Sequence, residues 1–465
     1  MAAMAPTPTV RRVADPSRPH RRRRARRLSL WRDGLEASAW LVAIAAISFF
    51  LASGAMVWTV TSDALNSVGR LVGIIATVLI LVQISLTSRA PWVERALGHD
   101  RALAMHGAMG PPVFFLLVAH AALLIVGYGA PTGRDVVGQT AYFLNHTRDI
   151  ALSVLGLALI LVVAVTSVAA ARRRWPYETW HAIHLVAYAA VAVSVPHQFT
   201  AGSTFKNNGW ARAFWAALYV IAFGSLLVWR VLVPAARAVR HRLVVVAVDR
   251  LDDGSVSLTM TGRRMEAWRA RSGQFFLWRF YTRDLWLTAH PYSLSATPDD
   301  RSFRITVKPL GDDSAALGSI PVGTRVSASG PYGRFTHDSR VSRGLVLVGA
   351  GIGMAPIRSM LEDPEAAEGP CHVIVRGSSD WEVPLLDEVR DLAERRGAGV
   401  DVLLGHRGDG WAPAARPASL ADLVPDIADC DVFVCGPEGW TERVAEDARG
   451  CGVPKPAIHV EEYAW

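Results

Sequence analysis

Six apolar stretches, each long enough to cross a bilayer, fill the first half of this 465-residue chain and limit its fold more than any other feature. Inside lipid every backbone N–H and C=O must be satisfied within the segment, so a run of about 20 apolar residues crosses as a helix. The runs cover roughly 35–60, 67–87, 104–127, 150–171, 178–198 and 210–233. Hydrophobic residues make up 51% of the chain. The excess lies almost wholly before residue 235.

Loop charge orients the spans. Arg89, Arg95 and Arg101 follow the second run, Arg172, Arg173 and Arg174 the fourth, and Arg237, Arg240 and Arg242 the sixth. The opposite side carries the thinner set Arg70, Arg134, Arg148, Lys206 and Arg212. Basic loops stay on the cytoplasmic side, so both termini are expected in the cytoplasm of a multi-pass plasma-membrane protein. Residues 1–33 form a basic arm with the run Arg21-Arg22-Arg23-Arg24. Such an arm is either a solvated, disordered tail or a partner for anionic lipid. No aromatics interleave it and no binding fold follows, which speaks against nucleic acid. The apolar run after it is too long for a cleaved signal peptide. The cysteines, Cys371, Cys430, Cys435 and Cys451, lack the spacing of a zinc or iron–sulfur site and imply no disulfide framework.

Two of the spans carry paired histidines, His106 with His120 and His184 with His197. An ionisable side chain inside a membrane helix is costly and marks function by default. Fourteen residues is just under four helical turns, a rise of about 21 Å, so His106 and His120 share a face. The spacing of thirteen puts His184 and His197 off-face by more than a third of a turn in an ideal helix. Pro196 can kink the chain there, and Pro111 and Pro112 can bend the other helix. Two pairs at matched depths are what a bundle needs to clamp two stacked haems, each iron held by one His from each helix. His181 lies three residues before His184 and is the alternative inner ligand; His184 sits deeper and spaces better to His197.

Past residue 240 the pattern changes. Leu243–Val248, Val256–Thr261 and Phe303–Val307 alternate like strands of an antiparallel barrel. From about 343 near-continuous apolar strands, Leu345–Val348, His372–Val375, Val400–Leu404 and Val432–Cys435, alternate with helical stretches at Ala355–Leu361 and Leu385–Arg395. That is a parallel α/β pattern.

In His290-Pro291-Tyr292-Ser293 an aromatic precedes a small hydroxyl. The ring suits stacking on a flavin and the hydroxyl a hydrogen bond to it. Tyr292 as an ordinary core aromatic is the plainer option. Lys308, and the turn around Gly330 and Gly333, are placed to meet a pyrophosphate. Gly349, Gly351 and Gly353, with Pro356, follow a strand and open a helix, the arrangement that lets backbone N–H groups approach phosphate. Cys435-Gly436-Pro437 ends the last parallel strand, where open α/β sheets bind ligands. There Cys435 is either beside a nicotinamide or a buried structural thiol. Arg376 and Arg407 end or follow strands and are candidates for the 2′-phosphate that separates NADPH from NADH.

A histidine-bearing bundle followed by HPYS, GAGIGMAP, CGP and a terminal aromatic resembles the ferric reductase and NADPH oxidase superfamily of membrane flavocytochromes b. The resemblance covers nearly all of the chain after the basic arm, and the soluble half is similar to ferredoxin–NADP reductases. It implies FAD, two haem b groups and NADPH or NADH. It implies that Tyr292 stacks on the flavin and Ser293 contacts it. Glu461, Tyr463 and Trp465 match the family's acidic and aromatic C-terminal pattern, with Trp465 covering the flavin ring. The family's usual methionine after CGP is missing; Trp440 occupies that region. The expected architecture is a six-helix membrane bundle holding haem over 34–234, an antiparallel FAD-binding barrel over 241–340 and a parallel α/β NAD(P)-binding domain over 343–465. The expected reaction carries electrons from NAD(P)H to a ferric chelate or dioxygen. The alternatives are a haem-free flavin reductase anchored by the bundle, and an electron donor to a periplasmic protein. Oligomeric state is unknown from the sequence.

Overall fold

The computed structural model describes residues 18–171, 175, 177–200, 208–406, 408 and 410–463. Arg172, Arg173, Arg174, Lys206, Arg407 and Trp465 lie outside them. Contacts divide the chain into two compact units, one of Leu30–Ala235 and one built from Ala236 onward.

Among the described residues six helices are long and apolar enough to cross a bilayer. They are α1 (Leu30–Ala52), α2 (Thr61–Thr87), α3 (His99–Thr132), α4 (Arg148–Ala169), α5 (Thr179–Thr200) and α6 (Gly209–His241). The first ends eight residues earlier than its apolar run. Gly54 takes a left-handed φ of 67° and breaks the helix. Ser67 then holds the apolar residues beyond it, its hydroxyl accepting from the Val57 N–H at 2.9 Å and donating to the Val57 carbonyl at 3.0 Å. Pro111 and Pro112 stay inside α3 and Pro196 inside α5. A π-helical turn at Val228–Leu232 interrupts α6.

Close approach in the bundle depends on missing side chains. Helix α2 packs along α3, and α4 along α5. A Cβ at Gly73 would stand 2.4 Å from His120 Nδ1, and one at Gly69 3.0 Å from Leu124. A Cβ at Gly156 would stand 2.0 Å from Ser194 Oγ and 2.7 Å from the Ala190 carbonyl. Lipid tails are as apolar as leucine, so helices in a membrane associate through such small-residue contacts rather than through hydrophobic burial.

The second unit holds two sheets. The antiparallel sheet orders its strands β4-β3-β6-β1-β2-β5. They are β1 (Leu243–Arg250), β2 (Val256–Thr261), β3 (Phe275–Phe280), β4 (His290–Ser293), β5 (Ser302–Val307) and β6 (Arg325–Tyr332). A bridge from Leu294 to Ile305, with a 2.8 Å bond from Ser295 N–H to the Arg304 carbonyl, ties the ends of its two edge strands. Phe276, Trp278, Phe280 and Phe303 fill its core. The parallel sheet runs β11-β10-β7-β8-β9. Its strands are β7 (Gly344–Ala350), β8 (Cys371–Gly377), β9 (Gly399–Leu404), β10 (Cys430–Pro437) and β11 (Ile458–Tyr463). Helix α7 (Met354–Glu362) follows β7, α8 (Leu386–Arg396) follows β8, and α9 (Trp440–Gly450) follows β10.

Several polar links join the sheets. Glu388 on α8 takes Arg304 of β5 and Arg358 of α7, each at 2.8 Å. Glu362 at the end of α7 accepts the Thr297 N–H at 2.6 Å. Asp431 on β10 is fully buried. Its carboxylate accepts the N–H groups of Val341 and Ser342, in the crossing between the sheets, and faces His459 Nε2 of β11 at 2.9 Å.

Candidate functional site

In the bundle the His106 and His184 rings stand 5.9 Å apart, centre to centre, at 75° to one another. Imidazole–metal bonds run about 2 Å, so a metal between two such rings sets their centres about 6 Å apart. Trp180 packs 5.1 Å from the His184 ring. Its indole N–H donates to Ser167 Oγ at 3.2 Å, and that hydroxyl lies 3.4 Å from His184 Nδ1. His120 Nδ1 meets the Gly69 carbonyl at 2.7 Å. His197 Nδ1 meets the Ser194 carbonyl one turn back. A carbonyl only accepts, so in both rings Nδ1 carries the proton and Nε2 keeps its lone pair. Metal-ligating histidines commonly present this tautomer. The donor set therefore fits a metal-bearing group. Among the described residues no cluster of three or more His, Cys, Asp or Glu could hold a bare ion.

Sequence patterning found the four histidines and missed what seats them. Gly69, Gly73, Ser167, Trp180 and Ser194 show no periodicity of their own, and a glycine's role here is to be absent at the point where a ring passes.

The second cluster lies where the two sheets of the second unit meet. Parallel pairing sets Cys435 opposite Gly349 on one side and Glu461 on the other. Antiparallel pairing sets Ser293 beside Phe275, which also pairs with Tyr332. Ser293 Oγ donates to Glu461 Oε1 at 3.0 Å, joining strand end to strand end. Gly333, at φ 91°, leaves room against Glu461 and the Phe275 ring. Gly353 approaches so closely that a Cβ would stand 2.3 Å from the Cys435 carbonyl. The Tyr463 hydroxyl donates to the Ala350 carbonyl at 2.6 Å, closing the glycine turn that contains Gly351. Burial, and then the Glu461 charge, push the Cys435 thiol well above its ordinary pKa, so it stays protonated. Burial likewise raises the Tyr463 phenol.

The other sequence candidates fall around this cluster or away from it. Tyr292 is half-buried against the antiparallel core, stacked 5.9 Å from His290, with its phenol raised by burial and then by Asp313. His290 Nε2 lies 3.8 Å from Asp313, and Pro291 is exposed. Lys308 Nζ donates to the Glu382 carbonyl at 3.4 Å. The Gly330 carbonyl accepts from Arg237. Pro356 is buried within α7. Arg376 is 7% exposed and gives its guanidinium to the carbonyls of Leu403 and Gly405, at 3.4 and 2.7 Å. A phosphate there would have to displace backbone acceptors. Gly436 and Pro437 close β10, and Gly436 lies against Trp440, where a Cβ would stand 2.5 Å from the indole. Trp440 is itself buried, its N–H on the Trp411 carbonyl at 2.9 Å. The residue that departs from the family's methionine is thus a core side chain under the turn.

The family model described as ferric reductase like transmembrane component matches residues 72–195, the stretch that contains His106, His120 and His184 and ends two residues before His197. The chain joins a ferric reductase-like membrane domain to a ferredoxin–NADP reductase-like module. A flavohemoprotein of Xylella fastidiosa is 27% identical over 208 residues, covering 41% of this chain and 50% of that protein. Ferredoxin–NADP reductase B of Sorangium cellulosum is 29% identical over 189 residues, covering 37% of this chain and 77% of that protein. The chain thus spans about half the length of the flavohemoprotein it matches. Among solved structures, the flavohem-like FAD/NAD binding domain of nitric oxide dioxygenase from Vibrio cholerae aligns with 24% identity. Its TM-score is 0.42, over 48% of this chain and 98% of that one.

Proposed function

We propose that this chain is a transmembrane oxidoreductase that takes electrons from NAD(P)H and delivers them, by way of FAD and two b-type haems, to an acceptor across the bilayer, a ferric chelate or dioxygen. The carrying observation is the facing of His106 and His184 at 5.9 Å inside a membrane bundle that matches a ferric reductase like component. His106 and His184 would hold the inner haem, and His120 and His197 the outer one. The ring that faces His106 supports His184 over His181 as the inner ligand. When bound, the flavin accepts a two-electron hydride and the haem irons pass electrons singly; the protein supplies placement and potential.

The chain's own groups set that placement. Gly73 lets His120 lie against α2, and the Gly69 carbonyl fixes its ring tautomer. Tyr292 and Ser293 would take the flavin, with Trp465 covering the ring. The Ser293 hydroxyl proton points at Glu461, leaving the oxygen's lone pairs for the ligand. Gly349, Gly351, Gly353 and Pro356 open α7 towards a pyrophosphate. Cys435, Gly436 and Pro437 would border the nicotinamide, and the protonated Cys435 thiol puts no charge beside a hydride path. Arg407 is left as the better candidate for a 2′-phosphate, since Arg376 is occupied with carbonyls. The domain limits 34–234, 241–340 and 343–465, the basic arm 1–33 and cytoplasmic termini in the plasma membrane complete the reading.

The test is a reduced-minus-oxidised spectrum of membranes containing the chain, followed by NADPH- and NADH-driven turnover with superoxide and ferrous iron measured together. Absence of a b-type haem signal would overturn the proposal in favour of a haem-free, membrane-anchored flavin reductase. Superoxide without iron reduction identifies an oxidase, and the converse a ferric reductase. Turnover that starts only on addition of a soluble acceptor protein identifies a donor to a partner.

A further inference from the structure

Among the described residues five non-glycine positions take a left-handed backbone, and four of them are arginines: Arg89, Arg242, Arg264 and Arg269, with φ between 47° and 61°. A long side chain in that region is uncommon and strained, and such strain persists where something requires it. Glycine or asparagine would cap a helix or turn a loop there at lower cost. Three of the four lie in the soluble unit, within thirty residues of each other in sequence.

The fold gathers those three. Helix α6 ends at His241, and Arg242 caps it, its N–H on the Ala238 carbonyl at 3.2 Å. The His241 carbonyl accepts the Arg263 N–H at 2.6 Å, and His241 Nδ1 meets the Arg263 carbonyl at 2.9 Å. The His241 ring packs 4.5 Å from Trp268, and the Arg237 guanidinium lies 5.1 Å from the centre of the same indole. The segment 262–269 is therefore clamped to the last turn of the chain's sixth span. Arg240, Arg242, Arg263, Arg264 and Arg269 are all exposed, and among the described residues none forms an ion pair. Glu266 is the acidic residue on the same segment and is also exposed. Val239, in the last turn of α6 between Arg237 and Arg240, is 72% exposed.

We infer that this edge of the soluble unit is a headgroup-binding surface for anionic phospholipid. The chemistry is guanidinium on phosphate, for which arginine's planar fork is better matched than lysine. The partner is a lipid because the cluster is fixed to the helix at the point where that helix leaves its apolar run, with an exposed valine beside it. The surface rests on the reading of α6 as a span.

The test uses the full chain in nanodiscs of phosphatidylcholine with and without phosphatidylglycerol. Hydrogen exchange is followed at the amides of 262–270. We expect slower exchange in the anionic discs, with the difference abolished by high salt and by Arg264→Gly with Arg269→Gly. Glycine relieves the left-handed strain, so that variant should fold at least as well as the native chain, which its thermal midpoint checks. Arg240→Gln with Arg263→Gln removes charge from the same surface at other positions and should also abolish the difference. Equal exchange in both lipids would overturn the inference. So would a lipid effect that survives both variants, or the same protection from inorganic phosphate in neutral discs. Exchange at 61–87 reports separately on the membrane reading, because a true span stays protected in either lipid.

Discussion

The bundle and the paired sheets seat chemistry by opposite means. In the bundle each candidate ligand is an isolated polar ring in apolar surroundings, held by at most a bond or two. His120 has the Gly69 carbonyl, His197 the Ser194 carbonyl, and His184 a hydroxyl shared with Trp180. Room for the His120 ring comes from Gly73. In the second unit the site is networked: Ser293, Glu461, Cys435 and Tyr463 come from strand ends whose register is fixed along whole ladders. The sheets that carry them are joined by charged groups such as Glu388. A ligand in the bundle is thus set by steric allowance, and one between the sheets by accumulated hydrogen bonds. The first should fail abruptly on small volume changes, and the second should yield gradually.

The largest effect tests the bundle. Replacing His120 and His197 together by Ala should remove about half of the b-type absorbance, one of two haems, while flavin content holds. Retention of both haems would break the assignment. Gly73→Ala comes next. Its methyl group would occupy the space of the His120 ring, so overpacking should cost about 1–3 kcal/mol and lower outer-haem content, although the residue itself binds nothing. Normal haem loading in that variant would show that steric allowance does not govern the bundle.

On the soluble side, Glu461→Ala should slow reduction of an artificial acceptor by NADPH, up to about 10²-fold, the cost of a misplaced reacting geometry, with haem content unchanged. An unchanged rate would detach Glu461 from the site. Glu388→Gln should do less. Its carboxylate is about a third exposed, so losing the pair should cost about 1 kcal/mol, read from the thermal midpoint. Burial alone would raise the Glu388 pKa, but Arg304 and Arg358 outweigh it and hold the carboxyl below its ordinary value. A depressed carboxyl contributes stability that is present above its unfolded pKa and lost as pH falls through the folded one. The native chain should therefore lose this contribution in acid, below the usual carboxylate range, while Glu388→Gln shows a flatter acid limb. The smallest effect concerns the thiols. Burial pushes Cys371 and Cys430 up to about 11 and Cys435 well above its usual value, so alkylation at neutral pH should be slow at all three. Rapid labelling of Cys435 would show that the junction between the sheets opens.

The parts that were legible in the sequence are those in which a side chain repeats with the period of its element. His106 with His120, the alternating β2 and the apolar run of β7 all belong to that class. The first span was overrun because Ala55, Met56 and Val57 look helical by composition, and only the left-handed Gly54 shows where the helix stops. Arg376 looked available because strand ends favour ligands, yet its guanidinium folds back onto the β9 turn. Glu388 gave no signal, since its partners lie 84 and 30 residues away. Gly73 and Gly156 were silent for a different reason: what they contribute is a distance, and sequence patterns record only what is present.

Asp431 has a consequence for how such a protein can be assembled from parts. Its carboxylate makes the crossing at Val341 and Ser342 belong to the hydrogen-bond system of the parallel sheet, with β11 drawn in through His459. Pulling the crossing away would cost the buried Asp431 carboxylate its two backbone donors. Heat should consequently be absorbed by the paired sheets in a single endotherm. A reductase module transplanted onto another membrane anchor would have to be cut before α6 ends, never between the sheets.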